Sequence, residues 1–279
     1  MGPTREKAGG ERGAAWNPSG IVTLLTDFGT EDPYVGMMKG VILSAAPRAV
    51  IVDLSHGVPP QNVRVGAWFL AHAATFFPTG TVHVAVVDPG VGSGRRLLVA
   101  EDRGHAYLAP DNGLLGPVLS SAARVFELDP ARHARSGASR TFHGRDILAP
   151  AAAALAQGLS PEECGSGTVA PEAGAAFPRP REIEAGRIEC EILLADRYGN
   201  LILSASPSDL PHFTDAGGWI VEAAGRTIPV RGAYSEAAPG ELLALVNSYG
   251  VLEIAVREGN AAARLGLRQG DTVVLARTS

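Results

Sequence analysis

Cysteine is scarce in this chain of 279 residues, which has only Cys164 and Cys190. The two residues lie far apart and show none of the spacings typical of metal ligands, so they give no indication of a zinc site. Two cysteines also cannot form a disulfide framework, and this composition suits a reducing compartment. The fold must therefore be held together by its apolar core.

Positive charge and long apolar runs are scarce as well. The chain has 24 Lys and Arg against 29 Asp and Glu, a net charge of -5, and it has no extended basic cluster, which argues against nucleic acid as a partner. Its longest apolar runs, such as 50–54 and 149–156, are much shorter than the roughly 20 residues that cross a membrane. Residues 1–20 lack the apolar stretch of a secretory signal. We therefore expect a cytoplasmic protein with no membrane partner.

The first half of the chain alternates β-rich runs with helical patterns. Short runs at 21–25, 50–54 and 82–87 are typical of strands, and they alternate with helical patterns at 34–46 and 63–77. A further helix is predicted over 146–157, with Pro150 in its first turns. Such alternation predicts βαβ units and a mainly parallel sheet. We therefore assign residues 21–170 to an α/β N-terminal domain that follows a flexible tail, residues 1–20.

The second half has a different pattern. Residues 171–186 are rich in Gly, Ala and Pro and are interpreted as a linker. From residue 187 to 279, short apolar runs are separated by turn residues, with few long helices. This spacing predicts a small C-terminal β-barrel or sandwich domain.

Two aspartates directly follow apolar strands of the first domain. Asp27 and Asp88 each come at the end of such a run, and ligands of open parallel sheets bind at the carboxyl ends of strands. Asp88 begins a loop with three glycines that leads to Arg95, whose guanidinium can return toward the carboxylate. The alternative is that each aspartate only caps the next turn.

Several further polar segments could form a site. His143 lies in a predicted loop beside an arginine and a carboxylate, where it could orient or deprotonate a nucleophile, although a lone histidine is often structural. The segments 111–113 and 196–200 have the composition of turns. The segments 247–250 and 258–261 are small polar loops that could hydrogen bond to a ligand or simply turn the chain.

Taken in order, five motifs resemble a single family. They are Thr26-Asp27-Phe28-Gly29-Thr30, Val87-Asp88-Pro89-Gly90-Val91-Gly92 with Arg95, Phe142-His143-Gly144-Arg145-Asp146, Asp196-Arg197-Tyr198-Gly199-Asn200 and Asn247-Ser248-Tyr249-Gly250. Together they resemble the S-adenosylmethionine hydroxide adenosyltransferases, also called S-adenosylmethionine hydrolases, which are related to the bacterial fluorinase and chlorinase. The likeness extends from about residue 21 to the C-terminus.

The resemblance implies an α/β domain followed by a β-barrel domain, assembled as a homotrimer with substrate between neighbouring subunits. It implies a catalytic set of Asp88, Arg95 and His143, which would hydrolyse S-adenosyl-L-methionine to adenosine and methionine. It also implies binding roles for further residues, of which Asp27 would hold the ribose hydroxyls. The other implied binding residues are Tyr34, Asp196, Asn200, Ser248, Asn260 and Ala261.

Three other functions remain possible from the sequence. A halide-using adenosyl transferase is disfavoured because the halogenating relatives carry a different residue, such as Tyr, at the position of Asp88. A sensor that binds an adenosyl nucleoside without turnover is compatible with the same loops. A metal-dependent phosphoesterase would need a second cluster of metal ligands, and none is evident. We therefore expect water as the nucleophile, with neither a metal nor a cofactor.

Overall fold

The structure is a computed structural model that describes residues 16–174, 177–210 and 218–278. The chain divides into two compact units, Met1–Ala175 and Ala176–Ser279. Residues 1–15 of the predicted tail and 175–176 of the predicted linker lie outside the described residues. The next residue of the predicted tail, Trp16, packs against the core of the first unit, and its indole Nε1 donates to the Leu155 carbonyl at 3.1 Å.

Unit 1 contains seven strands and five α-helices among its described residues. The strands are β1 (Ile21–Thr26), β2 (Val50–Ser55), β3 (Val82–Val86), β4 (Leu97–Asp102), β5 (His105–Pro110), β6 (Arg124–Leu128) and β7 (Gly165–Thr168). The helices are α1 (Tyr34–Ala45), α2 (Val63–Ala73), α3 (Pro130–His133), α4 (Ala149–Ala156) and α5 (Pro161–Cys164).

The strands of unit 1 form one sheet in the order β2-β1-β3-β5-β4-β6-β7. The pairs β1–β2, β1–β3 and β3–β5 are parallel. The pairs β4–β5, β4–β6 and β6–β7 are antiparallel, so only β4 and β7 run against the common direction. The predicted α/β domain with a mainly parallel sheet is therefore confirmed.

The helices of unit 1 follow from local sequence signals. In α1 the buried residues Val35, Met38 and Ile42 recur at helical spacing and face the core. Helix α2 begins at Asn62, whose Oδ1 accepts a hydrogen bond from the Val65 amide at 3.1 Å and so caps the helix. Helix α4 is rich in alanine and largely buried, which lets it pack closely against α1.

Two predicted helices differ from the observed ones. The sequence predicts a helix over 63–77, whereas the observed α-helix ends at Ala73 and is followed by a 3-10 turn, Ala74–Phe76. The predicted helix 146–157 instead begins with a π-helical turn, Gly144–Leu148, that leads directly into α4. Turns of this kind often occur at functional sites because they redirect side chains at the helix start.

Unit 2 is an antiparallel sheet that nearly closes on itself. Among its described residues, the strands are β8 (Arg181–Glu184), β9 (Arg187–Ala195), β10 (Leu201–Leu203), β11 (Trp219–Ala223), β12 (Arg226–Pro229), β13 (Leu242–Val246), β14 (Leu252–Val256) and β15 (Thr272–Arg277), and the α-helix is α6 (Ala261–Leu265). The order is β12-β11-β15-β9-β10-β14-β13, with β8 paired to β9. A bridge between Val230 and Ala244 joins the two ends of this order. The predicted barrel domain is confirmed.

Both cysteines are buried in these cores. Cys164 ends α5 in unit 1, and Cys190 lies on β9 inside the barrel. Burial raises the pKa of each thiol to about 12, because a thiolate would lose its hydration there. In the described part of the chain, no helix is long and apolar enough to cross a membrane.

Two histidines lie side by side in the sheet of unit 1. His83 Nδ1 shares a hydrogen bond of 2.8 Å with Thr23 Oγ1, and His83 Nε2 shares one of 3.2 Å with His105 Nδ1. Burial, and next the neighbouring His105, lower the pKa of His83 to about 3. His83 is therefore neutral in the folded protein at neutral pH.

We predict that acidification from about pH 7.5 to about pH 5 destabilises the fold through His83. An unfolded histidine has a pKa of about 6.5, so the unfolded chain binds a proton in this range while folded His83 stays neutral until about pH 3. The free energy of unfolding should fall by about 2 kcal/mol from this residue alone. Chemical denaturation at both pH values measures the loss. On acidification, the free energy of unfolding should fall less in the variant His83→Gln than in the wild type. An equal fall in both proteins would contradict the prediction.

Candidate active site

The sheet of unit 1 brings three polar side chains to one edge. Asp27 and Asp88 follow β1 and β3, which are adjacent and parallel, so both lie at the carboxyl edge of the sheet. Arg95 comes just before β4, whose first residue, Leu97, pairs with Pro110 at the carboxyl end of β5. Because β4 runs antiparallel to β5, its start lies at the same edge. Ligands of such sheets bind at this edge.

Arg95 holds Asp88 through two parallel hydrogen bonds. Its Nε donates to Asp88 Oδ1 at 2.6 Å, and its Nη2 makes a short contact with Asp88 Oδ2. The side chains of Asp88 and Arg95 are only 7% and 8% exposed. Bidentate contacts of this kind fix the orientation of a carboxylate as well as its charge.

His143 completes this cluster from a different part of the chain. Its Nδ1 lies 3.3 Å from both Nη1 and Nη2 of Arg95. A guanidinium can only donate, so Nδ1 accepts and the proton of the neutral ring is on Nε2. Burial, and next the positive charge of Arg95, lower the pKa of His143, and the opposing effect of Asp88 is smaller. His143 is therefore neutral at pH 7.

Local backbone features bring His143 close to the loop of Asp88. His143 directly precedes the π-helical turn, and Asp146 within that turn is only 2% exposed. The Asp146 carboxylate accepts hydrogen bonds of 2.7 Å from Arg145 Nε and 2.8 Å from the Ser139 amide, which fold the segment before His143 onto the turn. Arg145 and Ser139 together lower the pKa of Asp146, so it is ionised in this position.

Gly92 permits the close approach of the two loops. Its φ is +82°, and a Cβ at this position would lie 2.8 Å from the Arg140 carbonyl oxygen. Any larger residue would therefore push the 88–95 loop away from the segment that carries His143. Gly92 therefore serves the packing of these two segments against each other.

A cavity of about 430 Å³ opens beside the cluster. Four predicted site residues line it, namely Asp27, Tyr34, Asp88 and His143. Arg95 is not among the lining residues, but it contacts both Asp88 and His143.

The walls of the cavity include a group of three aromatic residues, of which only Tyr34 was predicted from the sequence. The rings of Phe28, Tyr34 and Phe142 contact one another in pairs, with centroid separations of 5.9, 5.8 and 5.4 Å. Phe28 and Phe142 each neighbour a predicted site residue in the sequence, and that adjacency was the available signal. An apolar wall beside two carboxylates suits a ligand that is partly apolar and partly cationic or hydroxylated.

Gln61 also lines the cavity, and it is not among the site residues predicted from the sequence. Its backbone has a φ of +64°, which is unusual for a residue other than glycine. Its amide donates to Asp27 Oδ2 at 2.7 Å, and this bond ties the segment before α2 to the first aspartate. The sequence does not indicate this contact between Gln61 and Asp27, because glutamine has no preference for a positive φ.

In unit 2, the predicted residues Asp196 and Asn200 form one turn. Asp196 Oδ1 accepts from the amides of Tyr198 and Asn200 at 2.9 and 2.8 Å, and Oδ2 accepts from Asn200 Nδ2 at 3.1 Å. Gly199 in the same turn lies directly against the Asn260 side chain, which would overlap with any Cβ there. The hairpin interpretation of the sequence is therefore correct.

The remaining predicted residues of unit 2 lie in different settings. Ser248 is exposed in a turn, Asn260 caps α6 by accepting from the Ala263 amide at 2.7 Å, and Ala261 is fully buried. Asn200 lines a separate cavity of about 630 Å³. That cavity also includes Tyr198 and Tyr234, which the sequence reasoning did not select.

The Tyr234 hydroxyl makes a short hydrogen bond to Glu253, which also accepts from Asn247 Nδ2 at 3.1 Å. Burial raises the pKa of Glu253. Across the described ranges of both units, no group of three His, Cys, Asp or Glu side chains could hold a metal ion.

Comparison with known proteins gives consistent matches. Residues 22–165 match the model of the SAM hydroxide adenosyltransferase N-terminal domain, and residues 190–274 match that of the C-terminal domain. An (R)-S-adenosyl-L-methionine hydrolase from Thermus thermophilus is 42% identical over 91% of this chain and 98% of its own. One from Salinispora tropica is 36% identical over 91% and 97%. The crystal structure of an uncharacterized conserved protein from Thermotoga maritima is 33% identical, with a TM-score of 0.82 over 92% of this chain and 100% of that one.

We predict that the His143 ring titrates below about 6.5 and that Asp88→Asn lowers its pKa further. The Asp88 carboxylate favours the protonated ring, so its removal leaves the opposing charge of Arg95 unbalanced. NMR titration of the ring protons, with His143→Ala to identify the signal, measures both values. Glu162→Gln, which removes an exposed carboxylate paired with Arg124, should leave the titration unchanged. A higher pKa in Asp88→Asn would contradict this electrostatic account.

Proposed function

The chain belongs to the S-adenosylmethionine hydroxide adenosyltransferase family, and on that premise we propose that it hydrolyses S-adenosyl-L-methionine to adenosine and L-methionine. The two relatives described above, both named (R)-S-adenosyl-L-methionine hydrolase, match over nearly their full length. The observation that carries the proposal is the hydrogen-bonded cluster of Asp88, Arg95 and His143 beside a cavity.

In the proposed reaction, a water oxygen attacks C5′ of the ribose in line with the sulfonium sulfur. The new bond joins oxygen to C5′, the bond from C5′ to sulfur breaks, and its electron pair leaves with neutral methionine. One proton is released from the water. The protein's task is to orient the water and accept that proton, and such positioning supplies a large part of many enzymatic accelerations.

We assign the proton acceptor to Asp88. Arg95 occupies His143 Nδ1, which leaves that ring with a proton on Nε2 and no free acceptor. The Asp88 oxygens each accept one bond from Arg95 and retain further lone pairs. His143 would then orient the water as a hydrogen-bond donor, while Arg95 fixes the orientation of the Asp88 carboxylate.

The proposed substrate contacts in unit 1 are those of Asp27 and Tyr34. The free lone pairs of Asp27 are suited to the ribose hydroxyls, since its Oδ2 is anchored by the Gln61 amide. The aromatic wall at Tyr34 provides apolar contact for the sugar and the sulfonium methyl group.

The remaining substrate contacts are proposed from unit 2 of a neighbouring copy in a homotrimer. The polar groups that would supply them are those of Asp196, Asn200, Ser248, Asn260 and Ala261. No metal or cofactor takes part in this proposal.

A single labelling experiment tests the reaction. Purified protein is incubated with S-adenosyl-L-methionine in oxygen-18 water containing a chelator, and the products are analysed by mass spectrometry. We expect the label in the 5′-hydroxyl of adenosine. Unlabelled adenosine, or no adenosine at all, would contradict hydrolysis, and 5′-halo-adenosine formed with added chloride or fluoride would indicate a halide transferase. Both sulfonium epimers should be offered, because the relatives are named for the (R) form.

We predict that Asp88→Ala and His143→Ala each lower kcat by at least about 100-fold, the lower range for acid–base catalysis. The dissociation constant for substrate should change little, because the proposed binding groups remain in place. Steady-state kinetics and calorimetric titration measure the two quantities separately. The matched control is His133→Ala. The native His133 ring contacts the Cys164 carbonyl and is not among the residues that line the cavity. Near-wild-type rates in Asp88→Ala or His143→Ala would remove that residue from the mechanism.

A further inference from the structure

The turn that follows β5 contacts both strands that carry the catalytic cluster. Asn112, in this turn, donates from Nδ2 to the Val87 carbonyl at 2.8 Å, and Val87 directly precedes Asp88. The same side chain accepts at Oδ1 from the Leu114 amide at 3.2 Å. The amide of Asn112 therefore joins the end of β3 to the turn through both of its polar atoms.

Val87 is also fixed on its other side. Its side chain is fully buried, and Gly66 of α2 lies so close that a Cβ there would meet Val87 Cγ2 at 2.9 Å and Leu114 Cδ1 at 3.0 Å. The side chain of Val87 is thus confined by packing. Val87 lies one residue beyond β3, so the direction of its carbonyl, and with it the peptide group leading to Asp88, depends on Asn112.

The first residue of the turn, Asp111, contacts Arg96, the residue that follows Arg95. The Asp111 amide donates to the Arg96 carbonyl at 3.0 Å, and Arg96 Nε donates to Asp111 Oδ2 at 2.8 Å. Asp111 is only 4% exposed. The turn therefore contacts the residue before Asp88 and the residue after Arg95.

We propose that Asn112 is a positioning residue that sets the placement of the Asp88 carboxylate against Arg95. Asparagine is suited to this role because its neutral side-chain amide donates to the Val87 carbonyl and accepts from the Leu114 amide. An ionised aspartate of the same length could only accept. This inference rests on the proposed function, since Asn112 acts through Asp88. It assigns a chemical role to a segment that the sequence presents as an ordinary turn.

The direct test is the kinetics of Asn112→Ala and Asn112→Asp. Both remove the donor to the Val87 carbonyl, and Asn112→Asp keeps an acceptor for the Leu114 amide in a side chain of the same shape. If Asn112→Ala does not fold, Asn112→Asp carries the test. We expect kcat to fall about 10- to 100-fold, because displacements of about 1 Å at a catalytic group have effects of this size. KM should stay within about threefold, since the proposed binding groups do not move.

The matched control is Ser120→Ala. Ser120 Oγ donates to Asp102 Oδ1 at 2.7 Å, and Asp102 ends β4 at the opposite edge of the sheet. This variant also loses one hydrogen bond to a partly buried group in the same unit. It should lose some stability, measured as Tm, while keeping kcat within about twofold. An equal loss of kcat in Ser120→Ala would overturn the proposal.

A double-mutant cycle separates positioning from a general structural effect. In an Asp88→Asn background, the change Asn112→Ala should lower the residual kcat by less than about twofold. The reason is that Asn112 acts by placing the Asp88 carboxylate, and this carboxylate is already absent. A full additional 10- to 100-fold loss would show that Asn112 acts independently of Asp88, and an unchanged kcat in the single variant would show no role. Either result overturns the inference.

An NMR measurement that does not depend on catalysis tests the positioning role of Asn112 separately from the proposed hydrolysis. The Arg95 Nε proton is bonded to Asp88 at 2.6 Å, so its NMR signal should be shifted downfield and slow to exchange. We expect the signal to be retained in Ser120→Ala and to shift or broaden in Asn112→Asp. An unchanged signal would overturn positioning by Asn112, whereas absence of wild-type turnover with a changed signal would count against the proposed function alone.

Discussion

The paired hydrogen bonds between Arg95 and Asp88 are the interaction on which the candidate site depends. Both side chains are largely buried, so each charge depends mainly on the other for its compensation. Removing one partner of such a pair leaves an uncompensated charge and typically costs about 3–5 kcal/mol. The same guanidinium also determines which nitrogen of His143 carries the proton. One ion pair thus fixes a loop, the orientation of a carboxylate and the protonation of an imidazole.

Much of the fold could be predicted from periodicity and strand-end residues. The helix over 34–46 and the strands before Asp27 and Asp88 agree with the structure to within one or two residues, because apolar spacing reports burial directly. The reversed direction of β4 could not be read from the sequence, since pairing partners are set by tertiary contacts. That reversal is what returns Arg95 to the edge where Asp88 lies. The π-helical turn after His143 was missed for the same reason: it arises from the contacts of Asp146, not from local propensity.

The candidate site was predicted less completely than the fold. Asp27 and Asp88 could be selected because they follow strands at the edge where parallel sheets bind ligands. His143 could be selected because it lies beside an arginine and a carboxylate, and the family motifs added Tyr34. Gln61 could not be selected, because its backbone conformation is not one that glutamine favours. Asn112 was assigned only to a turn, and its composition is indeed that of a turn. Its contact with the Val87 carbonyl depends on two segments that are distant in sequence.

The burial of the two cysteines has a practical consequence for studying this molecule. With a pKa near 12, neither thiol forms an appreciable amount of the thiolate that reacts with maleimides or iodoacetamide near neutral pH. We therefore expect both native thiols to react only very slowly with such reagents while the chain is folded. A fluorophore or spin label can be attached at one introduced surface cysteine without first replacing Cys164 or Cys190, so that both cores keep their natural packing.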